Sequence, residues 1–206
     1  MALSNTGGAG RGSSEGTIIG DGIRKYWKRG EDYHYHQGMK AGENTLELVI
    51  LRECFMSSLS EQGMEWQRED VRDRYIKLMT PPDSHNDTYA GTCHRMFFGN
   101  RENGKPLDDC PDNDHHNVDT IDGLVNLPPV VFAAASDGPA AVTAASASAV
   151  TLLRKSNQLP GYAEIYAAML MAVTTGADLK ENVAAAAESV GLNMEQMARG
   201  SDPMTA

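Results

Sequence analysis

Apolar residues in this chain recur at intervals of three and four, and strict alternation over five or more positions is hard to find, so the sequence reads as mainly α-helical. A first helix is expected over Gly42–Gln62, with Leu48, Leu51, Phe55 and Leu59 as one stripe and Leu46, Ile50 and Cys54 widening it; Gly63 stops it. Val71, Tyr75, Leu78 and Met79 mark a second helix that Pro81-Pro82 ends, because proline lacks an N–H and restricts the residue before it. Ser84 and Asp87 resemble a capping box for a third, carrying Tyr89, Cys93, Met96 and Phe97.

Residues 99–114 read as a polar loop, followed by a short helix with Val118, Ile121, Leu124 and Val125 that Pro128-Pro129 interrupts or restarts. The alanine-dominated stretch from Ala133 to Ala149, with Asp137 and Pro139 as start signals, predicts a buried, closely packed helix. Pro160-Gly161 is expected to break the chain before the apolar face of Tyr162, Ile165, Tyr166, Met169, Leu170 and Val173. Asp178 and Glu181 then stand as N-cap and N3 of a helix with Leu179, Val183, Ala187 and Val190 inward, closed by Gly191; Asn193 starts one further short element. The expected class is an all-α, compact multi-helix bundle without a fixed internal repeat.

With 206 residues, 41% hydrophobic and 22% charged, the chain has enough apolar material for a substantial core and is neither fibrous nor wholly disordered. No segment approaches the roughly 20 apolar residues a membrane span requires. Lys plus Arg number 18 against 28 Asp plus Glu, a formal charge of -10 that repels a phosphate backbone; the one basic run, Arg24-Lys25-Tyr26-Trp27-Lys28-Arg29, is short and meets Glu31 and Asp32 at once. Neither nucleic acid nor a membrane is therefore an expected partner. Cys54, Cys93 and Cys110 form no CxxC pair, which argues against a disulfide framework and for a reducing, cytoplasmic setting. Residues 1–16, rich in Gly and Ser and without an apolar stretch, read as a flexible leader to a single domain over 17–206.

The densest set of chemical donors lies from Asp108 to Asp122: six aspartates with His115, His116 and Asn117. Asp119 and Asp122 fall three apart, on one face of a helix, where two carboxylates favour a bound cation or a raised pKa. The competing reading, which carries more weight, is a solvated loop whose Asp114 and Asn117 cap the next helix. An EF-hand is excluded, because the central Gly and terminal Glu are missing. His34 and His36, with Tyr33 and Tyr35, would project together from an extended strand as in some metal sites, but no third ligand is evident and an aromatic loop on the first helix is the stronger account. Cys93 and His94 diverge by about 100° on a helix, so adjacency does not pair thiolate with imidazole. No GxSxG, P-loop, HExxH or strand-borne GxGxxG occurs.

Several motifs in order, His36-Gln37-Gly38-Met39-Lys40-Ala41-Gly42-Glu43-Asn44-Thr45-Leu46, Ser84-His85-Asn86-Asp87-Thr88-Tyr89, Cys93-His94-Arg95-Met96-Phe97-Phe98 and Cys110-Pro111-Asp112-Asn113-Asp114 with His116-Asn117-Val118-Asp119, resemble the ADP-ribosylglycohydrolase superfamily, in particular its crystallin-like and selenoprotein J-like branch. The resemblance spans about residues 18–206. It implies an all-α bundle with a binuclear magnesium centre and an ADP-ribose cleft among helix ends, in which metals orient ribose hydroxyls and water for hydrolysis through an oxocarbenium-like centre.

The family's Thr-Asp-Asp-Thr metal motif corresponds to Gly42, Glu43, Asn44 and Thr45, which makes Glu43, Asn44 and Thr45 the implied metal positions and leaves less negative charge for Mg²⁺. Gly20-Asp21-Gly22 is the only counterpart of an early Gly-Asp-Ala-like element, and the late Asp-x-Asp-Thr motif has none, so the domain is expected to be incomplete at both ends. The resemblance makes His85, Asp87, His116, Asn117, Asp119 and Arg154 the implied ligand-binding residues, with Arg154-Lys155 a cationic pair for a diphosphate.

A degenerate member that binds ADP-ribose or a related ligand without efficient turnover is the function implied, and no catalytic residue is assigned. An active magnesium-dependent hydrolase is the first alternative, and a crystallin-like structural or helical interaction protein, self-associating through exposed helix faces, the second. The binding reading expects Glu43 to Thr45, His85 to Asp87 and His116 to Asp119 to converge on one polar pocket.

Overall fold

A computed structural model describes residues 36–192, apart from Met64 and Thr88, together with Ile18. Residues 1–16, Gly20-Asp21-Gly22, the Arg24 to Arg29 run, His34 and the element from Asn193 lie outside the described residues. Those described are all-helical: α1 (Leu46–Ile50), continued through π-helical turns over Leu51–Met56 into α2 (Ser57–Gln62), then α3 (Arg68–Met79), α4 (Thr92–Glu102), α5 (Leu127–Ala134), α6 (Pro139–Val150), α7 (Leu159–Thr174) and α8 (Leu179–Ser189). Short 3₁₀ turns occupy Leu107–Asp109, Ile121–Leu124 and Ala135–Asp137. The class expected from the hydrophobic spacing is the one observed. Among the described residues, no helix is long and apolar enough to cross a membrane.

The first helix begins at Leu46 rather than Gly42. Gly42 has φ +89° in the turn before it, a conformation glycine adopts without steric cost, and the turn is closed by Glu43 N–H to the Lys40 carbonyl at 3.1 Å. The π turns explain why both expected stripes contribute: each wide turn adds a residue, so burial passes from Leu46, Ile50 and Cys54 to Phe55 and Leu59, while Leu48 of the expected face is 42% exposed.

Helix α4 is buried on every side from Thr92 to Phe98. Tyr75 of α3, Phe97 and Phe98 form a three-ring cluster with centroids 5.4–5.5 Å apart, in tilted and edge-on arrangements that suit the ring quadrupoles. Asp87 is not the cap of α4, which starts only at Thr92; it caps α1 instead. Pro128-Pro129 fall in the first turn of α5, and Pro160-Gly161 in that of α7, which begins at Leu159. Proline costs nothing there, where an N–H has no intrahelical acceptor, so the expected break before Tyr162 is a helix start.

Alanine-rich α6 packs between α5 and α7, as its small side chains allow. At α8 the local signals hold, since Asp178 accepts from Glu181 N–H at 3.0 Å and Gly191, φ +75°, ends the helix. The inward face does not: no residue of α8 is buried, and Leu179 and Val190 are 61% and 50% exposed, because α8 is an outer element packed chiefly on α7.

Candidate functional site

Four segments far apart in sequence meet at one cavity of about 390 Å³: the start of α1, Asp87 with Tyr89 and Gly91, the first turn of α4, and the 117–122 loop with Arg154 behind it. Its volume lies within the range of small-molecule sites. Asp87 organises the first two. Buried, it accepts the Leu46 N–H at 2.7 Å and the Tyr89 N–H at 3.0 Å, and it pairs with His36 Nδ1 at 2.9 Å. A carboxylate at a helix start satisfies an orphan N–H and complements the positive end of the dipole. His36 in turn stands edge-on to Tyr89.

The cavity wall contributed by α1 and α4 is a hydrogen-bonded chain. Tyr75 Oη lies 2.7 Å from His94 Nδ1, and His94 Nε2 lies 2.9 Å from Glu47 Oε1. Complete burial raises the Tyr75 hydroxyl well above its ordinary pKa, so it keeps its proton and donates to Nδ1, which leaves Nε2–H to donate to Glu47. Burial pushes the Glu47 carboxyl up, but the His94 ring and the Arg154 guanidinium outweigh it and hold the group below the usual range.

Arg154, 6% exposed, ties the loop down. Nη2 donates to Asp122 Oδ2 at 2.6 Å, and Nη1 reaches Asp122 Oδ1 and the carbonyls of Asn117 and Val118 at 3.3–3.4 Å. The Lys155 N–H donates to the Asp112 carbonyl at 3.0 Å, adding a backbone anchor beside it.

The acidic loop spends its carboxylates on local structure. Asp114 accepts from the His116 and Asn117 N–H groups at 3.0 and 2.7 Å and from the Asn117 side-chain amide at 2.7 Å. Asp119 receives the Ser156 hydroxyl, whose oxygen accepts the Leu159 N–H at 2.9 Å at the start of α7. Asp108 pairs with Arg72. Asp119 and Asp122 therefore serve different partners, Ser156 and Arg154. Asp114 thus closes the 114–117 turn, and the expected cap on the next helical element is not made: Ile121–Leu124 has Thr120 as N-cap, with no side-chain hydrogen bond.

Burial raises the carboxyl pKa of Asp114 and Asp122, but the 116–117 amides and Arg154, respectively, lower it further, so both end below the ordinary range. A folded pKa below the unfolded one means the stabilisation is full above about pH 4 and is lost as pH falls through the folded value. Carboxyl-carbon NMR titration is expected to give midpoints below the ordinary Asp range for both; midpoints at or above it contradict these assignments.

Of the implied metal and ligand-binding residues, Thr45, Asp87, Asn117 and Arg154 line the cavity, whereas Glu43, Asn44, His85, His116 and Asp119 do not; His36, Cys93, His94 and Asp122, weighed on other grounds, line it too. Glu43 is exposed and turned back onto the Lys40 N–H at 2.7 Å. His85 is buried and donates from Nε2 to the Ile18 carbonyl at 2.8 Å; burial holds its pKa down against that carbonyl and Asp87. His116 is exposed. Glu47 and Tyr75 carry no functional expectation in the sequence, and His94 enters there only beside Cys93 and within a resemblance motif. Glu47 lies just past the expected metal motif, and the usable signal for His94 was a polar ring in the otherwise core-like stretch Cys93 to Phe98.

Of the donors near the implied Mg²⁺ positions, Asp87 and Glu43 are engaged within the protein, while Glu47 keeps one carboxylate oxygen open at the cavity. The lone pairs of Asp87 are committed to two amides and an imidazole, Glu43 closes its own turn, and among the described residues no three His, Cys, Asp or Glu are placed to hold a metal ion. Nor is there an activated thiol: burial raises Cys93 to about 11 and Cys54 to about 12. Alkylation of the native protein near neutral pH should be slower than that of a free cysteine by about two orders of magnitude, in line with the lost thiolate fraction. Complete modification of Cys93 within minutes would contradict the burial.

A second cavity, about 560 Å³, lies on the other side of Arg154, bordered by Arg68, Lys105, Lys155 and Asp108. Arg68 is committed to the end of α6, donating to the Ser148 carbonyl and, at 3.0 Å, to that of Thr151. Compared with protein-family models, curated proteins and solved structures, the chain has no significant match.

Proposed function

We propose that this chain is a degenerate ADP-ribosylglycohydrolase-like protein that binds ADP-ribose, or a related ribosyl ligand, without efficient turnover. The observation that carries the reading is the convergence of Thr45, Asp87, Asn117 and Arg154, three of them from motifs that resemble that superfamily, on one polar cavity of small-molecule size. The donor geometry supports binding over hydrolysis, because a two-metal mechanism requires several carboxylates free to ligate, and of those near Thr45 Glu43 and Asp87 are engaged with backbone amides while Glu47 alone keeps an oxygen open.

Calorimetric titration with ADP-ribose, with Mg²⁺ and with EDTA, tests it together with a turnover assay on an ADP-ribosylated protein. Saturable binding indifferent to EDTA, with no ADP-ribose released above buffer, is expected. Magnesium-dependent release would make the chain a hydrolase, and absence of binding would remove the reading.

A further inference from the structure

We infer that Glu47 is the carboxylate with which the cavity recognises its ligand, and that it accepts hydrogen bonds from a neutral vicinal diol, so that the chain selects a ribosyl sugar and not a diphosphate. The inference rests on the reading of the cavity as a ribosyl-ligand site and names which part of the ligand is read.

Glu47 reaches the cavity from the first turn of α1 with one oxygen already fixed. His94 Nε2 holds Oε1 at 2.9 Å, and Tyr75, at 2.7 Å from the far side of the ring, holds His94. Both braces are buried, Tyr75 completely, so the carboxylate is oriented before any ligand arrives. Among the described residues no donor occupies Oε2, and the side chain is 28% exposed, at the cavity wall. A fixed carboxylate with one oxygen open is an acceptor for hydroxyl donors and repels phosphate oxygens.

The cation that would have to recognise a diphosphate is already engaged. Arg154 makes a two-pronged pair with Asp122 and spends further donors on the carbonyls of residues 117 and 118. Glu47, Asp87 and Asp122 together oppose this one guanidinium around the cavity, while Thr45 and Asn117 add neutral polar groups suited to sugar oxygens.

NMR titration of the full chain with methyl ribofuranoside, its 2-deoxy analogue, ADP-ribose and inorganic pyrophosphate tests this. The riboside is expected to bind at least about tenfold more tightly than the deoxy analogue, because a site arranged for a hydroxyl discriminates against its loss. Pyrophosphate should neither bind the cavity nor displace ADP-ribose. Glu47→Gln should weaken the riboside about tenfold and equalise the two sugars, the loss expected for one charge-assisted hydrogen bond. Tyr75→Phe, which keeps the ring packing, should reduce riboside affinity by a smaller factor and leave the deoxy analogue unaffected. Equal binding of the two sugars by the unaltered chain, or displacement of ADP-ribose by pyrophosphate, overturns the inference even if Glu47→Gln fails to fold. ADP-ribose binding without sugar discrimination removes the inference alone; absence of binding by every probe removes the cavity reading with it.

Discussion

Replacing Asp87 with Asn is expected to lower the unfolding free energy by about 3 kcal/mol, because it puts an amide where a buried and a half-buried backbone N–H group and an imidazole find their acceptor. In a chain of this size that corresponds to a fall in Tm of roughly 6–12 °C. The same carboxylate starts α1 and holds Tyr89 and His36 beside it, so the cavity loses a wall along with its stability. Affinity for ADP-ribose should therefore fall by more than tenfold even at a temperature where the variant is fully folded. Thermal unfolding and calorimetry on the same preparation separate the two effects. A variant with an unchanged Tm would show that Asp87 is not the cap.

Arg154→Met carries the second large effect. Methionine keeps part of the apolar stem, but Asp122 loses its partner and the carbonyls of Asn117 and Val118 lose their donor. Removing one member of a fully buried pair costs about 3–5 kcal/mol; with Asp122 47% exposed, water recovers part of that, and about 2–3 kcal/mol is expected here. The consequence is local first: amide exchange across residues 117–123 should accelerate ahead of global unfolding, while α6 and α7 keep their protection. Uniform protection across the loop in the variant would contradict the role given to Arg154. Beside the expected diphosphate contact, this arginine thus has a structural role, set by what its two terminal nitrogens already meet.

The helices were legible wherever a local rule decides them. Asp178 and Glu181 at the start of α8, Gly63 after α2 and the proline stop after α3 act through atoms a few residues apart, and the sequence displays them directly. The cap of α1 was not legible, because its acceptor comes from Asp87, 41 residues away. The inward face of α8 was misread for a related reason: periodicity shows which residues share a face, not whether another layer covers it.

The site followed the same division. Thr45, Asp87 and Asn117 lie in the motifs that carry the resemblance, but the chain from Tyr75 through His94 to Glu47 joins three helices, so no spacing within one element announces it. His94 was set aside on its adjacency to Cys93, which was the right exclusion for a thiolate pair and silent about a carboxylate from α1. The aspartates from Asp108 to Asp122 looked like ligands through density alone. Folded, each of Asp108, Asp114, Asp119 and Asp122 answers a different donor.

A crystal structure of the chain grown with ADP-ribose and Mg²⁺ tests the central claim most directly. Binding at the cavity predicts the ribose seated between Asn117 and Glu47, with hydroxyl oxygens within hydrogen-bond distance of the Glu47 carboxylate and no cation on Glu43 or Thr45. Two magnesium ions held by the Glu43 to Thr45 segment, or the nucleotide lying instead against Lys105 and Lys155 on the far side of Arg154, would contradict it.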